Sequence, residues 1–485
     1  MPPILLLFLP ALLAAQVPKP NLLLILTDDQ GVSSLSCYGG RHVSTPHLDR
    51  LAAQGIRFTA AYATPQCTPT RAALLTGQQP ARNGMWHVIP WYGTPWAPVR
   101  EPSFREQLDR GTFTFPKGLR AAGYVTGIAG KWHLNTNEDG NYVGLRASAA
   151  PHYGFDYSAP PGPGSQNEGD KHVDYLTDEA IRFFQTHRER PWFFLLSHHT
   201  VHGKVAAPAA LVAKHLAAGA PESGLHHATY LAALEHLDQS IGRLLDALAA
   251  ADLSSRTLVV FLSDNGGVHR IHDMQPFTTG PGTATRLTVA SEEFSSAPLR
   301  AGKGSAYEGG LRVPGLARWP GVITPGRVES TPVHVMDWAA TFLALAGATP
   351  PAGHPLDGLD LTPLLRGSKL PARALYWYFP FYELRWGVTP SAVIRDGNWK
   401  LIESFGDFFD SSGNYHSGPR LELFNLATDP GEADDLAVRQ PERARALQRQ
   451  LRDWIRSTGA EVPGPNPDYD PSRQLKETRA KPLRR

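Results

Sequence analysis

The segment Asn21-Leu-Leu-Leu-Ile-Leu-Thr27-Asp28-Asp29-Gln30-Gly31 decides how this chain folds. No charged residue interrupts its apolar run, which predicts a parallel β-strand that is buried on both faces. Two carboxylates follow at once, so the strand delivers Asp28 and Asp29 at its carboxyl end. Ligand sites in open α/β sheets lie at that end of the strands. We therefore expect a central strand here, with its last residues in a functional site.

A second stretch, Thr257-Leu-Val-Val-Phe-Leu-Ser263-Asp264-Asn265-Gly266-Gly267, repeats the pattern. Two such strands could bring their acidic ends to one cation. Carboxylate and amide oxygens suit a hard divalent ion, and the lack of a Cys/His cluster with zinc spacing argues against zinc. Ca²⁺ is the first expectation and Mg²⁺ the second. The alternative is that both segments are only strand-closing turns, in which Asp, Asn and Gly are common.

Further apolar strands are expected near 123–129 and 192–197, and helical stretches separate the four strands. One of these stretches, Tyr230–Leu248, has apolar residues at helical spacing. Alternation of this kind predicts an α/β fold in which helices cover both faces of a large, mostly parallel sheet.

A third motif, Cys67-Thr-Pro69-Thr-Arg71-Ala-Ala-Leu-Leu-Thr76-Gly77, combines a thiol, a turn and a cation. Pro69 favours a sharp turn after an extended segment, and the apolar run that follows Arg71 suits a helix. The start of a helix attracts anions, and Arg71 adds a permanent positive charge. Taken alone the motif is a weak signal, because a single cysteine is more often a small buried apolar residue.

Other cationic side chains follow the remaining strands. Lys131 and His133 come after the strand that ends at Gly130, and on an extended chain they would share a face and approach one oxyanion. His202 follows the 192–197 strand, and Lys303 lies in a glycine-lined loop. Alone, His202 would be read as a core histidine and Lys303 as a solvated lysine.

Together these motifs make the chain resemble the formylglycine-dependent sulfatases of the alkaline phosphatase superfamily, along most of its length. The resemblance implies that a maturation enzyme oxidises Cys67 to formylglycine, whose hydrated aldehyde attacks sulfur and forms a covalent sulfo-enzyme intermediate. It implies metal ligands at Asp28, Asp29, Cys67, Asp264 and Asn265. It implies catalytic roles for Cys67, Arg71, Lys131, His133, His202 and Lys303, of which Lys131, His202 and Lys303 also bind the substrate.

The resemblance also distributes the protons. His133 would take a proton from the second hydroxyl of formylglycine, and either His202 or Lys303 would protonate the leaving alcohol. His198 and His199 would then hold the ring tautomer of His202. Many relatives have Thr-Pro after the histidine that corresponds to His202, whereas this chain has Gly203-Lys204.

The family's architecture implies an alkaline phosphatase-like sheet with a smaller C-terminal domain of antiparallel sheet plus helix. We expect a catalytic domain over 17–370, a C-terminal subdomain over 371–465 and a polar, basic tail over 466–485. The loop-rich segment 140–170 could shape the substrate pocket. The aromatics of 375–382 could stack on a sugar or form interdomain core. Residues 441–456 predict an amphipathic helix.

These features favour a sulfuric ester hydrolase that acts on a sulfated carbohydrate or an aryl sulfate. Two alternatives stay open: a phosphonate monoester or phosphodiester hydrolase with the same site, and a non-catalytic relative that acts as a binding protein. The second is disfavoured because all ten site positions carry competent residue types.

Composition agrees with a large enzyme of 485 residues, 42% hydrophobic and 19% charged. A net charge of +2 without a nucleic-acid-binding motif predicts no nucleic-acid partner. The two cysteines are Cys37, read as structural, and Cys67, so no disulfide is expected. Residues 1–16 contain a short apolar run that predicts a signal peptide and export to the periplasm or medium, and no other stretch predicts a membrane span.

Overall fold

A computed structural model describes residues 19–91, 93–165, 167–273, 278–280 and 286–475. The expected signal peptide, 1–16, and the basic end of the tail, 476–485, lie outside these ranges. The strands of the described residues are β1 Asn21–Thr27, β2 Ile56–Phe58, β3 Ala61–Tyr62, β4 Val125–Gly130, β5 Tyr157–Ser158, β6 Trp192–Ser197, β7 Thr257–Ser263, β8 Arg270–Asp273, β9 Thr288–Glu292, β10 Gly315–Arg318, β11 Arg327–Glu329, β12 Val333–His334, β13 Ala374–Phe379, β14 Ser391–Asp396, β15 Trp399–Ser404, β16 Asp407–Phe409, β17 Tyr415–Ser417 and β18 Arg420–Asn425.

The α-helices of the same ranges are α1 Pro46–Ala53, α2 Cys67–Thr76, α3 Pro80–Asn83, α4 Phe115–Ala121, α5 Val173–Thr186, α6 Ala209–Ala217, α7 Ala228–Ala250, α8 Glu308–Leu311, α9 Asp337–Ala346, α10 Thr362–Leu365 and α11 Pro441–Ser457. Among them, none is both long and apolar enough to cross a membrane.

The large sheet has the order β11-β2-β10-β7-β1-β6-β4-β5. Strand β1 lies at its centre and pairs in parallel with β6 on one side and β7 on the other. Strand β10 runs antiparallel to both of its neighbours, which makes the sheet mixed but mostly parallel, as expected. Because β1, β4, β6 and β7 are parallel, their carboxyl ends all open on one edge.

The alternation along β1 explains the two helical layers. Leu22, Leu24 and Leu26 pack against one face with α2, α4 and α9, whereas Leu23 and Ile25 pack against the other with α1, α5 and α7. All five side chains are essentially buried. A strand buried on both faces requires an uninterrupted apolar run, which is the pattern seen at 21–27.

The C-terminal part forms an antiparallel sheet, β13-β14-β15-β18, with α11 packed against it. Trp377 of β13 donates its indole N–H to the carbonyl of Ala63, 2.8 Å away, and so ties this sheet to the segment before α2. The aromatics from 377 to 381 are buried in this core, which favours interdomain packing over sugar stacking as their role. The boundary near residue 370 stays a prediction.

Candidate active site

The carboxyl ends of the central strands meet where the sequence predicted a site. Thr27, Ser197 and Ser263 are the last residues of β1, β6 and β7, and all three are completely buried. The acidic residues that follow β1 and β7 therefore emerge side by side. All ten predicted site residues come together here; they are Asp28, Asp29, Cys67, Arg71, Lys131, His133, His202, Asp264, Asn265 and Lys303.

Hydrogen bonds join three of the four oxygen-bearing residues, Asp29, Asp264 and Asn265, to one another. The Asp264 carboxylate accepts the backbone N–H of Asp29 at 3.2 Å. Asn265 donates its side-chain N–H to Asp29 Oδ1 at 2.7 Å. The Asn265 amide is thereby oriented with its carbonyl oxygen, Oδ1, left over, and two adjacent strand ends become one rigid cluster.

The cluster fits a hard divalent cation. Asp28 Oδ1 and Asn265 Oδ1 are buried and have no hydrogen-bond partner among the described residues, an arrangement that is costly unless something binds them. Burial and the carboxylate of Asp28 raise the pKa of Asp264 to about 6, so these acids repel one another. Carboxylate and amide oxygens are the donor set that Ca²⁺ and Mg²⁺ prefer. Asp28, Asp29 and His202 also offer ligand atoms within 4.8 Å of each other.

Cys67 opens helix α2, and every residue of that helix is buried. The helix begins at Cys67, earlier than Pro69 and the apolar run suggested, because a proline in the first turn needs no backbone N–H for the helical ladder. Burial raises the pKa of the Cys67 thiol above its usual value. The side chain therefore sits at a helix N-terminus as a thiol, next to unpaired backbone N–H groups that favour an anion.

Arg71 holds the site together. Its Nε and Nη2 both donate to Asp264 Oδ2, at 3.1 and 2.7 Å. Its Nη1 donates to the carbonyl of Lys131 at 3.0 Å and to Ser197 Oγ at 2.7 Å. A planar guanidinium can satisfy these partners on three different elements at once. Arg71 thus braces the acid cluster from the helix side.

His133 lies beside Cys67, with Nδ1 3.2 Å from Sγ. Its Nε2 is 2.9 Å from the carbonyl of Ile89, which can only accept, so Nε2 carries the proton and Nδ1 is left as an acceptor. Burial, and next the charge of Lys131, keep the pKa of His133 well below its usual value. The prediction that Lys131 and His133 share a face of an extended chain is wrong, because β4 ends at Gly130 and His133 has a left-handed backbone (φ 55°).

Two lysines flank the acids. Lys131 Nζ is 2.6 Å from Asp28 Oδ2, and Lys303 Nζ is 2.7 Å from Asp29 Oδ2. Burial opposes the charge of Lys303, but the Asp29 carboxylate outweighs it and raises the pKa of the ammonium. Burial likewise opposes the charge of Asp28, whose pKa the Lys131 ammonium nevertheless holds well below its usual range. With Arg71 there are three cations against three carboxylates, so a divalent ion would make the site positive.

His202 is the most accessible of the ten, with Nε2 3.8 Å from Asp29 Oδ2. Burial, and next Lys303, lower its pKa to about 4. His198 and His199 are fully buried, and neither forms a side-chain hydrogen bond to His202 among the described residues. Lys171 instead braces this turn, since its ammonium donates to the carbonyls of His202 and Lys204 at 2.9 and 2.8 Å.

Sequence reasoning missed two contributors. Tyr142, in the loop-rich 140–170 segment, donates its hydroxyl to Asp28 Oδ2 at 3.3 Å, and its ring lies 4.4 Å from Lys131 Nζ. Ser197 accepts from Arg71 and donates to the carbonyl of Lys131. The hydroxyl residues that end β1, β6 and β7 were the one signal for Ser197. No pattern singled out Tyr142, because loop positions carry no periodicity.

A buried thiol at a helix start, an oxygen cluster and converging lysines define a hydrolase site for an anionic ester. Comparisons with known proteins agree. Residues 20–348 match the sulfatase family, and residues 302–460 match the family described as N-sulphoglucosamine sulphohydrolase, C-terminal. Arylsulfatase A of Homo sapiens is 33% identical over 92% of this chain and 89% of its own. N-acetylgalactosamine-6-sulfatase of Homo sapiens is 31% identical over 90% of this chain and 85% of its own.

Among solved structures, Ps i-CgsB superposes with a TM-score of 0.70 at 25% identity, covering 90% of this chain and 93% of that one. The phosphonate monoester hydrolase of Agrobacterium radiobacter shares the fold, with a TM-score of 0.62 at 21% identity, covering 90% of this chain and 96% of that one. The chain belongs to the sulfatase family and is a sulfuric ester hydrolase. The predicted family and enzyme class are thereby confirmed.

Proposed function

We propose that the protein hydrolyses sulfate monoesters of saccharides, with Cys67 matured to formylglycine and a divalent cation, Ca²⁺ first, held by Asp28, Asp29, Asp264 and Asn265. The observation that carries this proposal is the contact between Cys67 and His133 at the start of a buried helix. This contact lies beside an oxygen cluster in which Asp28 Oδ1 and Asn265 Oδ1 have no hydrogen-bond partner among the described residues. Matured Cys67 would supply a hydroxyl nucleophile, and the cation would polarise it and offset negative charge.

The chain's own residues are arranged for the proton transfers. His133 presents an unprotonated Nδ1 to position 67, because Ile89 fixes the proton on Nε2. That nitrogen can accept a proton from a hydroxyl group at residue 67. Lys131 and Lys303 aim their ammonium groups at the same cluster and can bind sulfuryl oxygens as charge grows on them.

For the leaving alcohol, the geometry favours Lys303 over His202 as proton donor. The His202 Nδ1 lies 2.7 Å from the carbonyl of Gly203, which can only accept, so the ring proton is on Nδ1. Its Nε2, which faces Asp29, is then without a proton in the neutral ring. Lys303 carries a proton to give, and we assign His202 to binding.

Relatives support a saccharide as the alcohol. N-acetylgalactosamine-6-sulfatases from several mammals are 30–31% identical over about nine-tenths of this chain. The Ps i-CgsB structure was also solved in complex with k-i-k-neocarrahexaose, likewise at 25% identity. We include export in the proposal because the apolar run within residues 1–16 predicts a signal peptide. We include maturation by a formylglycine-generating enzyme because the family resemblance implies it.

The test is sulfate release by protein coexpressed with a formylglycine-generating enzyme. Matched aryl sulfate, phosphate and phosphonate esters are compared with a panel of sulfated saccharides, and mass spectrometry of the Cys67 peptide reports maturation. Cys67→Ala should abolish turnover, whereas Cys37→Ala is the matched control, because the pKa of Cys37 is raised to about 12 by burial and by Asp49. Substantial activity in Cys67→Ala, or a preference for phosphonate esters, would refute the proposal.

The cation is tested separately. Asp264→Ala removes a carboxylate that binds both Arg71 and the Asp29 backbone, so bound metal and activity should be lost together. Elemental analysis of the purified wild type identifies the ion, with Ca²⁺ expected. The control is Asp238→Ala, because among the described residues that buried carboxylate accepts only the backbone N–H groups of His47 and Leu48 at the start of α1. Full metal occupancy in Asp264→Ala would contradict the assignment of ligands.

A further inference from the structure

A cavity of about 310 Å³ opens beside Lys303, between the active-site loops and the C-terminal sheet. Gly302, Lys303 and Phe408 of β16 are among the residues that line it. The chemistry proposed above uses none of this space. Because Lys303 belongs to the site that binds the sulfate, whatever fills the cavity lies next to the sulfated unit. Its volume is at the lower end of the range for small-ligand sites.

The ring of Trp386 is fixed at this junction. It belongs to the 3₁₀ turn Leu384–Trp386 and packs on Gly304, where a Cβ would lie 2.3 Å from its ring. Lys303 Nζ is 5.6 Å from the ring centroid. The ring is partly exposed and lines the cavity. A flat aromatic face beside a ligand site suits the apolar C–H face of a sugar ring, which its π-system attracts.

Two serines add polar groups to the wall. Ser391 of β14 and Ser404 of β15 are direct partners across the antiparallel ladder and therefore share a face of the sheet. Both line the cavity, both are about 95% buried, and neither hydroxyl forms a hydrogen bond to another described residue. Hydroxyls on a cavity wall without a protein partner are suited to a ligand that brings its own hydroxyls.

Among the described residues, the cavity wall has no unpaired charge that would bind a charged group of a ligand. Each charged side chain on its wall is already paired within the protein: Arg270 with Glu292, Arg300 with Glu422, Lys303 with Asp29, Asp410 with His416, and Glu422 with Arg420. A neutral, hydroxyl-rich ring therefore fits this wall better than an anion does.

We propose that this cavity binds the sugar unit adjacent to the one that carries the scissile sulfate, so that the substrate is a sulfated oligosaccharide rather than a sulfated monosaccharide or an aryl sulfate. Trp386 stacks on that sugar, and Ser391 and Ser404 hydrogen-bond to its hydroxyls. This inference rests on the proposed function, because it places the sulfate at the Cys67 site.

The experiment compares kcat/KM for a sulfated monosaccharide with kcat/KM for oligosaccharides that contain the same sulfated unit. Matured wild type should prefer the oligosaccharide about tenfold or more, and Trp386→Ala should reduce that ratio by about tenfold, the range of one aromatic stacking contact. Ser391→Ala with Ser404→Ala removes the hydroxyls with little change of volume and should lower the same ratio. Trp454→Ala is the control, because this ring stacks on Tyr376 in a different part of the C-terminal region.

Binding of a desulfated oligosaccharide to the Cys67→Ala protein, followed by calorimetry, gives a readout that needs no turnover. It should weaken in both cavity variants and not in Trp454→Ala. If wild type releases sulfate with the same oligosaccharide preference as Trp386→Ala and the double serine variant, the inference is overturned while the proposed function stands. If wild type releases no sulfate from any substrate but binds the desulfated chain through Trp386, the proposed function fails instead.

Discussion

Lys400→Met should destabilise the protein strongly, because Lys400 neutralises two buried carboxylates. Its ammonium lies 3.0 Å from Glu308 and 2.7 Å from Glu432, and all three residues are completely buried. Removing one partner of a buried ion pair costs about 3–5 kcal/mol. At 485 residues the unfolding entropy is about 1 kcal/mol/K, so the melting temperature should fall by about 3–5 °C. Differential scanning calorimetry measures the shift.

The pH dependence makes this prediction specific. Although burial opposes it, Lys400 holds the pKa of Glu308 at about 2, below its ordinary 4.5, so this stabilisation is full above about pH 4.5 and disappears as the pH falls towards 2. Burial raises the pKa of Glu432 to about 7, so that carboxyl is mostly neutral at pH 5. The deficit of Lys400→Met should therefore be larger at pH 8 than at pH 5.

The matched control is Lys369→Met, which removes an exposed lysine and should shift the melting temperature by less than about 0.5 °C. Adding Glu432→Gln to Lys400→Met keeps a hydrogen-bond acceptor for the Glu308 N–H and should recover part of the loss at pH 8. A Lys400→Met shift that equals the control, or one that does not change between pH 5 and pH 8, would refute the reasoning.

Two further substitutions test the site and its support. Arg71→Lys keeps the charge, but a lysine cannot reach Asp264, Ser197 and the Lys131 carbonyl together, so kcat should fall by about a hundredfold. The control is Arg82→Lys, which loses a similar bidentate pair with Asp357 away from the cluster and should keep kcat within about twofold. Equal losses of kcat in the two variants would contradict the role given to Arg71. Trp377→Phe removes the indole N–H that pairs with the buried Ala63 carbonyl and should lower the free energy of unfolding by about 1–3 kcal/mol. The control is Trp454→Phe, at a partly exposed position, which should lower it clearly less. An equal shift in thermal unfolding for the two variants would argue against a stabilising role of the Trp377–Ala63 hydrogen bond.

Where apolar patterning and strand ends determine the result, the sequence was sufficient. The runs at 21–27 and 257–263 became adjacent parallel strands, and a strand that alternates between two helical layers has to read as continuously apolar. Asp28, Asp29, Asp264 and Asn265 then follow with no further assumption, because the carboxyl ends of parallel strands share an edge.

Where tertiary contacts set the backbone, the sequence was not sufficient. His133 reaches Cys67 through a left-handed residue after β4 has ended, which no rule of strand alternation predicts. Tyr142 and Trp386 come from a loop and a single 3₁₀ turn, and their positions beside Lys131 and Lys303 depend on packing between segments far apart in the chain. Such contacts leave no local periodicity to read.

The complete burial of α2 restricts when Cys67 can be modified during the folding of each molecule. Cys67 is 1% exposed, and no residue of its helix reaches the surface. An enzyme that oxidises this side chain needs access to the chain around it, which the packed core denies. If Cys67 is converted as proposed, the conversion has to precede packing of the core, so that conversion and folding compete in time. The fraction of active protein would then be settled once, during synthesis, and a molecule that folds first would stay unconverted until it unfolds again.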